Sequence, residues 1–160
     1  MMYGGFKTVL DLAAGTGSGS LSKENPTTTL LDGLHNAGFT TNDELTNLYT
    51  SYRAERPEAG MFKADWSLPE PTQDKYSDDL LSNATAFGDA AVVTIARSGG
   101  EGFDLPRDVN KEMDDNPYFS YTNNSEVYTD FENGQGYLEL TRPEKDMIEL
   151  RRRPRRRRSS

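Results

Sequence analysis

Residues 90–96 read AAVVTIA, and residues 97–102 follow at once as RSGGEG. The first stretch is seven small and β-branched residues with no polar–apolar alternation. A run of that kind predicts a strand buried on both faces, as in a parallel sheet covered by helices. The second stretch holds three glycines and one carboxylate, Glu101, and turns the strand into a loop. Upstream, FKTVLDL at 6–12 is a shorter run of β-formers, followed by the glycine- and serine-rich AAGTGSGS at 13–20. Strand, glycine loop, helix, strand and glycine loop is the order of an open α/β sheet. Functional loops of such sheets gather at the carboxyl ends of the strands. Ser18 and Glu101 are therefore expected on one edge of the sheet.

Between the two strands lie helical patterns. Pro26, Thr27 and Thr28 read as a helix start. Leu30, Leu31, Leu34 and Ala37 follow at helical spacing, and Gly38 stands where a helix stops. A second helix is expected over 42–55, capped by Asn42 or Asp43, with Leu45, Leu48, Tyr49 and Tyr52 on its apolar face. Residues 60–76 are broken by proline and polar residues and read as an irregular excursion; 77–87 can form a short helix. Residues 104–136 are rich in Asp, Asn, Ser, Thr and Tyr with little periodicity, which predicts a long surface loop or partly disordered arm. GYLELT at 136–141 leads into RPEKDMIEL, where Thr141 and Glu144 have capping-box spacing.

Composition limits the chemistry. The 160 residues suffice for one modest domain. There is no cysteine and a single histidine, so disulfide scaffolds, thiol nucleophiles and histidine-rich metal centres fall away. His35, on the polar side of the first helix, receives no role. No cofactor or metal is expected. No apolar run approaches a membrane span and no basic-then-apolar leader opens the chain, which suggests a cytoplasmic protein. The net charge of −8 hides two populations. Residues 151–158, RRRPRRRR, hold seven arginines, whereas residues 1–150 carry 11 basic and 26 acidic side chains. The acidic body would repel nucleic acid; the arginine tail at 151–160, expected to be disordered, could bind it through phosphate neutralisation. That third, non-enzymatic reading has no support upstream.

Two family resemblances bear on function. VLDLAAGTG at 9–17 resembles the first motif of class I S-adenosylmethionine-dependent methyltransferases, where a strand and a G-x-G turn hold the cofactor. That likeness ends after nine residues, and the stretch where a second acid-ended strand should follow holds a helix.

The other resemblance covers more of the chain. GTGSG (15–19), LLDGLHNAGF (30–39), DAAVVTIARSGGEGFD (89–104) and GYLELTRPEKDMIEL (136–150) resemble, in order, the α/β sandwich domain of glycoside hydrolase family 3. The resemblance implies an open, mostly parallel sheet flanked by helices over residues 1–150, incomplete and carrying a long irregular polar loop. It also implies a retaining β-glycosidase of β-glucosidase type acting on terminal β-linked sugars. Glu101 would be the acid/base and Ser18 would contact the sugar. In that family the nucleophile is an aspartate on a separate (β/α)₈ barrel, within Ser-Asp-Trp. Ala64-Asp65-Trp66 is similar, yet it lies in the excursion of the sandwich domain and reads as a surface acid beside a half-buried tryptophan. A barrel of roughly 250 residues does not fit in this chain. The chain is thus expected to be a fragment, inactive alone, whose partners are a β-glucoside and the missing barrel. The family-like pattern stops at Leu150, so the arginines read as foreign sequence. Tyr118, Tyr121, Tyr128 and Tyr137 are expected to pin the polar loop to the core.

Overall fold

A computed structural model describes residues 2–3, 28–53, 64–68, 70–88, 90–95, 97 and 104–150, with residues 2, 3, 53, 64 and 65 described by backbone alone. The elements in chain order are β1 (Met2–Tyr3), α1 (Leu30–Asn36), α2 (Asp43–Arg53), β2 (Ala64–Asp65), a single 3₁₀ turn (Gln73–Lys75), α3 (Asp78–Phe87), β3 (Val92–Val93), α4 (Val109–Asp115), β4 (Phe119–Ser120) and α5 (Arg142–Leu150). β1 pairs with β3, Met2 opposite Val92, and β2 pairs with β4, Ala64 opposite Phe119. Both pairs are parallel, so long crossovers carrying helices separate the partners. The strand expected at 6–12 lies outside the described residues.

Local chemistry explains the helices. Thr29 caps α1: its Oγ1 accepts from the Asp32 amide at 2.8 Å while Asp32 accepts from the Thr29 amide at 3.1 Å. The cap is one residue beyond the expected Thr27–Thr28, because only Thr29 has an acid three positions on. Gly38, at φ +85°, ends the helix. Its amide donates to the His35 carbonyl, and the Phe39 amide reaches back to Leu34. In α2, Asn42 Oδ1 accepts from the Leu45 amide at 2.9 Å. In α3, Ser77 accepts from the Leu80 amide.

Two clusters form the core. The first joins α2, α3 and α5 through Leu45, Tyr49, Tyr76, Ala84, Met147 and Leu150, with Ala91 and Val93 laid against it. Ala91 and Val93 are thus partly covered, whereas Val92 on the opposite face of β3 is 42% exposed and Ile95, just beyond the strand, is 40% exposed, where the sequence predicts burial on both faces. The second cluster is Trp66, Leu68, Val109, Phe131 and Tyr137, flanked by Phe119 and Tyr121. It draws on two segments that read as irregular in sequence. Trp66, expected to be half-buried, is 3% exposed. It stacks on Phe119 and meets Tyr137 edge-on, with centroids 5.2 Å apart in the second contact.

The polar stretch 104–136 is thus folded on structure of its own. Asp108 caps α4 by accepting from the Lys111 amide, and Asn124, held by Asp130, ties the following turns to Leu68 and Glu70. Asp130, 1% exposed, accepts from the Tyr121 hydroxyl at 2.8 Å and from the Asn124 side-chain amide at 2.7 Å. Asn124 in turn donates to the Leu68 carbonyl and accepts from the Glu70 amide. Among the described residues, no helix is long and apolar enough to cross a membrane.

Candidate functional site

Glu101 and Ser18 both lie outside the described residues, as do residues 9–17 of the methyltransferase-like motif. Asp65 is described by its backbone alone. What the structure does describe is the chain on either side of the glycine loop: Arg97 before residues 98–103, and residues 104–109 after them.

Arg97 makes at least four hydrogen bonds. Nη1 and Nη2 donate to Glu144 Oε1 and Oε2 at 2.6 and 2.7 Å. Nε donates to the Tyr137 carbonyl at 2.6 Å, and Nη2 also reaches the Glu139 carbonyl at 2.6 Å. The guanidinium carbon lies 5.7 Å from the Tyr137 ring centroid. Planar and permanently charged, a guanidinium can serve a carboxylate and two carbonyls together; a lysine ammonium lacks that fork.

Glu144 has two duties. Its Oε2 also accepts from the Thr141 amide at 2.8 Å, and its own amide donates to Thr141 Oγ1 at 3.3 Å. This is the capping box expected from the sequence. It sets the carboxylate at the positive end of α5, where the helix dipole favours an anion. The arginine that completes the arrangement is 47 residues away in the chain.

The far side of the loop is held by the same segment. Tyr137 donates its amide to the Pro106 carbonyl at 3.0 Å, and the Val109 amide donates to the Gln135 carbonyl at 3.0 Å. A side chain on Gly136 would bring its Cβ to 3.2 Å from the Arg107 carbonyl oxygen, so glycine permits this close approach. Gln135 braces the turn, accepting from the Glu132 amide and donating to the Leu140 carbonyl.

The four tyrosines divide. Tyr137 is fully buried and Tyr121 binds Asp130, both pinning the loop as expected. Burial and the neighbouring Asp130 carboxylate push the Tyr121 hydroxyl well above its ordinary pKa. Tyr128 lies beneath Arg142, 4.2 Å from ring centroid to guanidinium carbon; burial first, then Asp146 and Asp130, raises its hydroxyl pKa. Tyr118 is 79% exposed and pins nothing. His35 is exposed and meets Thr41 Oγ1 at 2.9 Å.

Sequence reasoning put Arg97 at the head of the glycine stretch and Tyr137 among the tyrosines pinning the polar loop, but joined neither to the other nor to Glu144. The signal was faint: an arginine at a strand's end and a tyrosine after glycine, with no spacing rule to join them.

Comparison with known proteins gives a partial likeness. No family model matches the chain and no solved structure matches it. Over 91 residues, 55% of its length, the chain is 33% identical to a β-glucosidase of Ruminococcus albus, of which that stretch is 9%.

Proposed function

We propose that this chain is the part of a retaining β-glycosidase that carries the acid/base loop, with Glu101 as the acid/base carboxyl. The observation that carries the reading is the 91-residue likeness to a β-glucosidase. The parallel pairing of both described strand pairs supports an α/β sandwich as the fold. The bonds that join Arg97 and Pro106 to Tyr137 hold the described residues on either side of 98–103, in keeping with that reading.

The chemistry needs two carboxyl groups about 5–5.5 Å apart across a sugar's anomeric carbon. A nucleophile on a (β/α)₈ barrel would attack that carbon while Glu101 protonates the leaving oxygen. Glu101 would then take a proton from water as the water displaces the nucleophile. Ser18 would hydrogen-bond the sugar. Without the barrel the nucleophile is missing, and the isolated chain should not turn over a β-glucoside.

The test uses a hybrid in which residues 1–150 replace the matching region of the Ruminococcus albus β-glucosidase. Glu101→Gln should lower hydrolysis of an alkyl β-glucoside by roughly 10²–10⁴-fold. A dinitrophenyl β-glucoside should suffer far less in its glycosylation step, because its phenolate leaves without a proton. An active hybrid that loses nothing, or loses equally on both substrates in that step, overturns the assignment.

A further inference from the structure

Residues 132–135, Glu-Asn-Gly-Gln, make a tight turn between two buried rings. The Gln135 amide donates to the Glu132 carbonyl at 3.1 Å, and Gly134, at φ +79°, takes the third position of a type II turn. Phe131 and Tyr137, both buried, stand before and after it and stack with centroids 6.3 Å apart. Asn133 and Gly134 themselves are exposed. Among the described residues the Gly134 amide makes no hydrogen bond. The Asn133 side chain has one long contact there, Oδ1 accepting from Asn110 Nδ2 at 3.4 Å.

Asparagine is a chemically labile residue, and the structure shields its other occurrences better than this one. The Asn124 side chain is held by Leu68, Glu70 and Asp130. Asn123 precedes an amide, that of Asn124, which donates to the Asp130 carboxylate. Asn36 precedes the Ala37 amide, bonded to the Gly33 carbonyl. Asn116 precedes a proline, which has no N–H. At Asn133 the following residue is a glycine, with no Cβ to crowd an approach and an amide that no partner holds.

We infer that Asn133–Gly134 is a self-modifying site, at which Asn133 becomes aspartate or isoaspartate and the isoaspartyl form loosens the turn. The Gly134 nitrogen attacks Asn133 Cγ; a C–N bond forms, the Cγ–Nδ2 bond breaks, and ammonia leaves with the former amide proton. Water then opens the five-membered imide. Cleavage at Cγ gives aspartate; cleavage at the main-chain carbonyl gives isoaspartate, whose main chain runs through the side-chain carbons. Isoaspartate thus adds one main-chain carbon, about 1.5 Å of length, between two stacked rings. It does so beside Gln135, whose carbonyl accepts from the Val109 amide and whose side chain joins the Glu132 amide to the Leu140 carbonyl. Either product adds a negative charge next to Glu132, in a chain that already carries −8.

The test keeps the full chain in warm, mildly alkaline buffer and, in parallel, in the same buffer with strong urea. Peptide mass spectrometry reads the exchange of NH₂ for OH at each asparagine, and electron-transfer fragmentation separates aspartate from isoaspartate. Without urea, Asn133 should convert roughly ten times faster than Asn124 or more, because Asn124 must first give up its hydrogen bonds. Urea should narrow that gap. Asn133→Gln, which would have to close a six-membered ring, should keep its amide. The isoaspartyl fraction, separated by anion exchange, should have a Trp66 urea midpoint lower by about 1 M, the worth of two hydrogen bonds. Asn133→Gln incubated alongside should keep its midpoint. Asn133 that holds its amide without urea, a gap to Asn124 that urea leaves unchanged, or an isoaspartyl fraction with the parent midpoint would each overturn the inference.

Discussion

Asn124 offers the sharpest test of whether the polar stretch 104–136 is a folded unit or a solvated arm. Its side chain makes at least four hydrogen bonds: Nδ2 donates to the Leu68 carbonyl and to Asp130 Oδ2, both at 2.7 Å, while Oδ1 accepts from the Glu70 amide at 3.0 Å and the Tyr52 hydroxyl at 3.3 Å. Asn124→Ala removes all four. At about 1 kcal/mol each the loss is about 4 kcal/mol, and water reaching this half-buried position returns about 1, leaving about 3 kcal/mol. The lone tryptophan, Trp66, sits in the adjoining cluster and gives a single-site fluorescence signal for urea unfolding. With a slope of about 2 kcal/mol per molar urea, the midpoint should fall by about 1.5 M. Asn124→Asp sharpens the test. It is nearly isosteric and equally hydrophilic, yet it sets a second carboxylate against Asp130, so its loss should match or exceed that of alanine. A surface substitution away from such contacts costs within about 0.5 kcal/mol. If both variants fall in that range, the network is not what holds the segment, and the reasoning fails.

Three further outcomes follow from the same geometry. Because the folded Tyr121 hydroxyl has its pKa raised above the ordinary 10.0, its contribution is full below pH 10 and declines as pH climbs beyond it. The urea midpoint should therefore fall more steeply above pH 10 in the parent than in Tyr121→Phe, and equal slopes would refute this. The Thr29 hydroxyl and amide hold the Asp32 carboxyl below its ordinary 3.8, so its support of α1 is present above that value and lost as pH drops through the lower folded one. Carboxyl-carbon NMR should show Asp32 titrating below 3.8, and Thr29→Ala should move it upward. Gly38→Ala forces a left-handed backbone on a residue with a Cβ and should cost about 1 kcal/mol in urea unfolding.

What the sequence disclosed was governed by distance along the chain. Gly38 as a helix stop, Ser77 before α3 and the Thr141–Glu144 box all rest on contacts within a few residues, and a spacing rule captures each one. The N-cap of α1 was missed by one residue: the start was expected at Thr27–Thr28, whereas only Thr29 has an acid three places on. The aromatic cluster was not legible. Trp66 and Phe131 are single aromatic residues beside polar ones, Phe119 follows the exposed Tyr118, and Tyr137 stands between a glycine and the exposed Leu138. No helical or strand period links them, and their burial arises from two distant segments closing on each other. Strand β3 erred the other way: an unbroken apolar run predicts two covered faces, yet Ala91 and Val93 meet the helices while Val92 and Ile95 do not. The proposed sugar site divides similarly. Its loop and carboxylate were suggested by local glycine pattern and block order, whereas the Arg97–Glu144 pair depends on residues 47 apart.

Helix α5 gives these separate observations a common mechanical basis. Its later turns place Met147 and Leu150 in the helical cluster with Leu45 and Tyr49. Its first turn holds Glu144 against Arg97, beside the aromatic cluster that contains Tyr137. One rigid element of nine residues therefore connects the helical core to the flank of the glycine loop. Under the proposed acid/base role, a carboxyl group placed to within about 0.5 Å of its target would need rigid support of this kind. The same connection has a cost in robustness. Breaking a buried ion pair by removing one partner strands the other charge and costs about 3–5 kcal/mol, so loss of either Arg97 or Glu144 should weaken the cap of α5 and the loop's flank together. Glu144 then has one ground for being a glutamate rather than a glutamine: the cap would accept either, whereas the salt bridge to the guanidinium needs the charge.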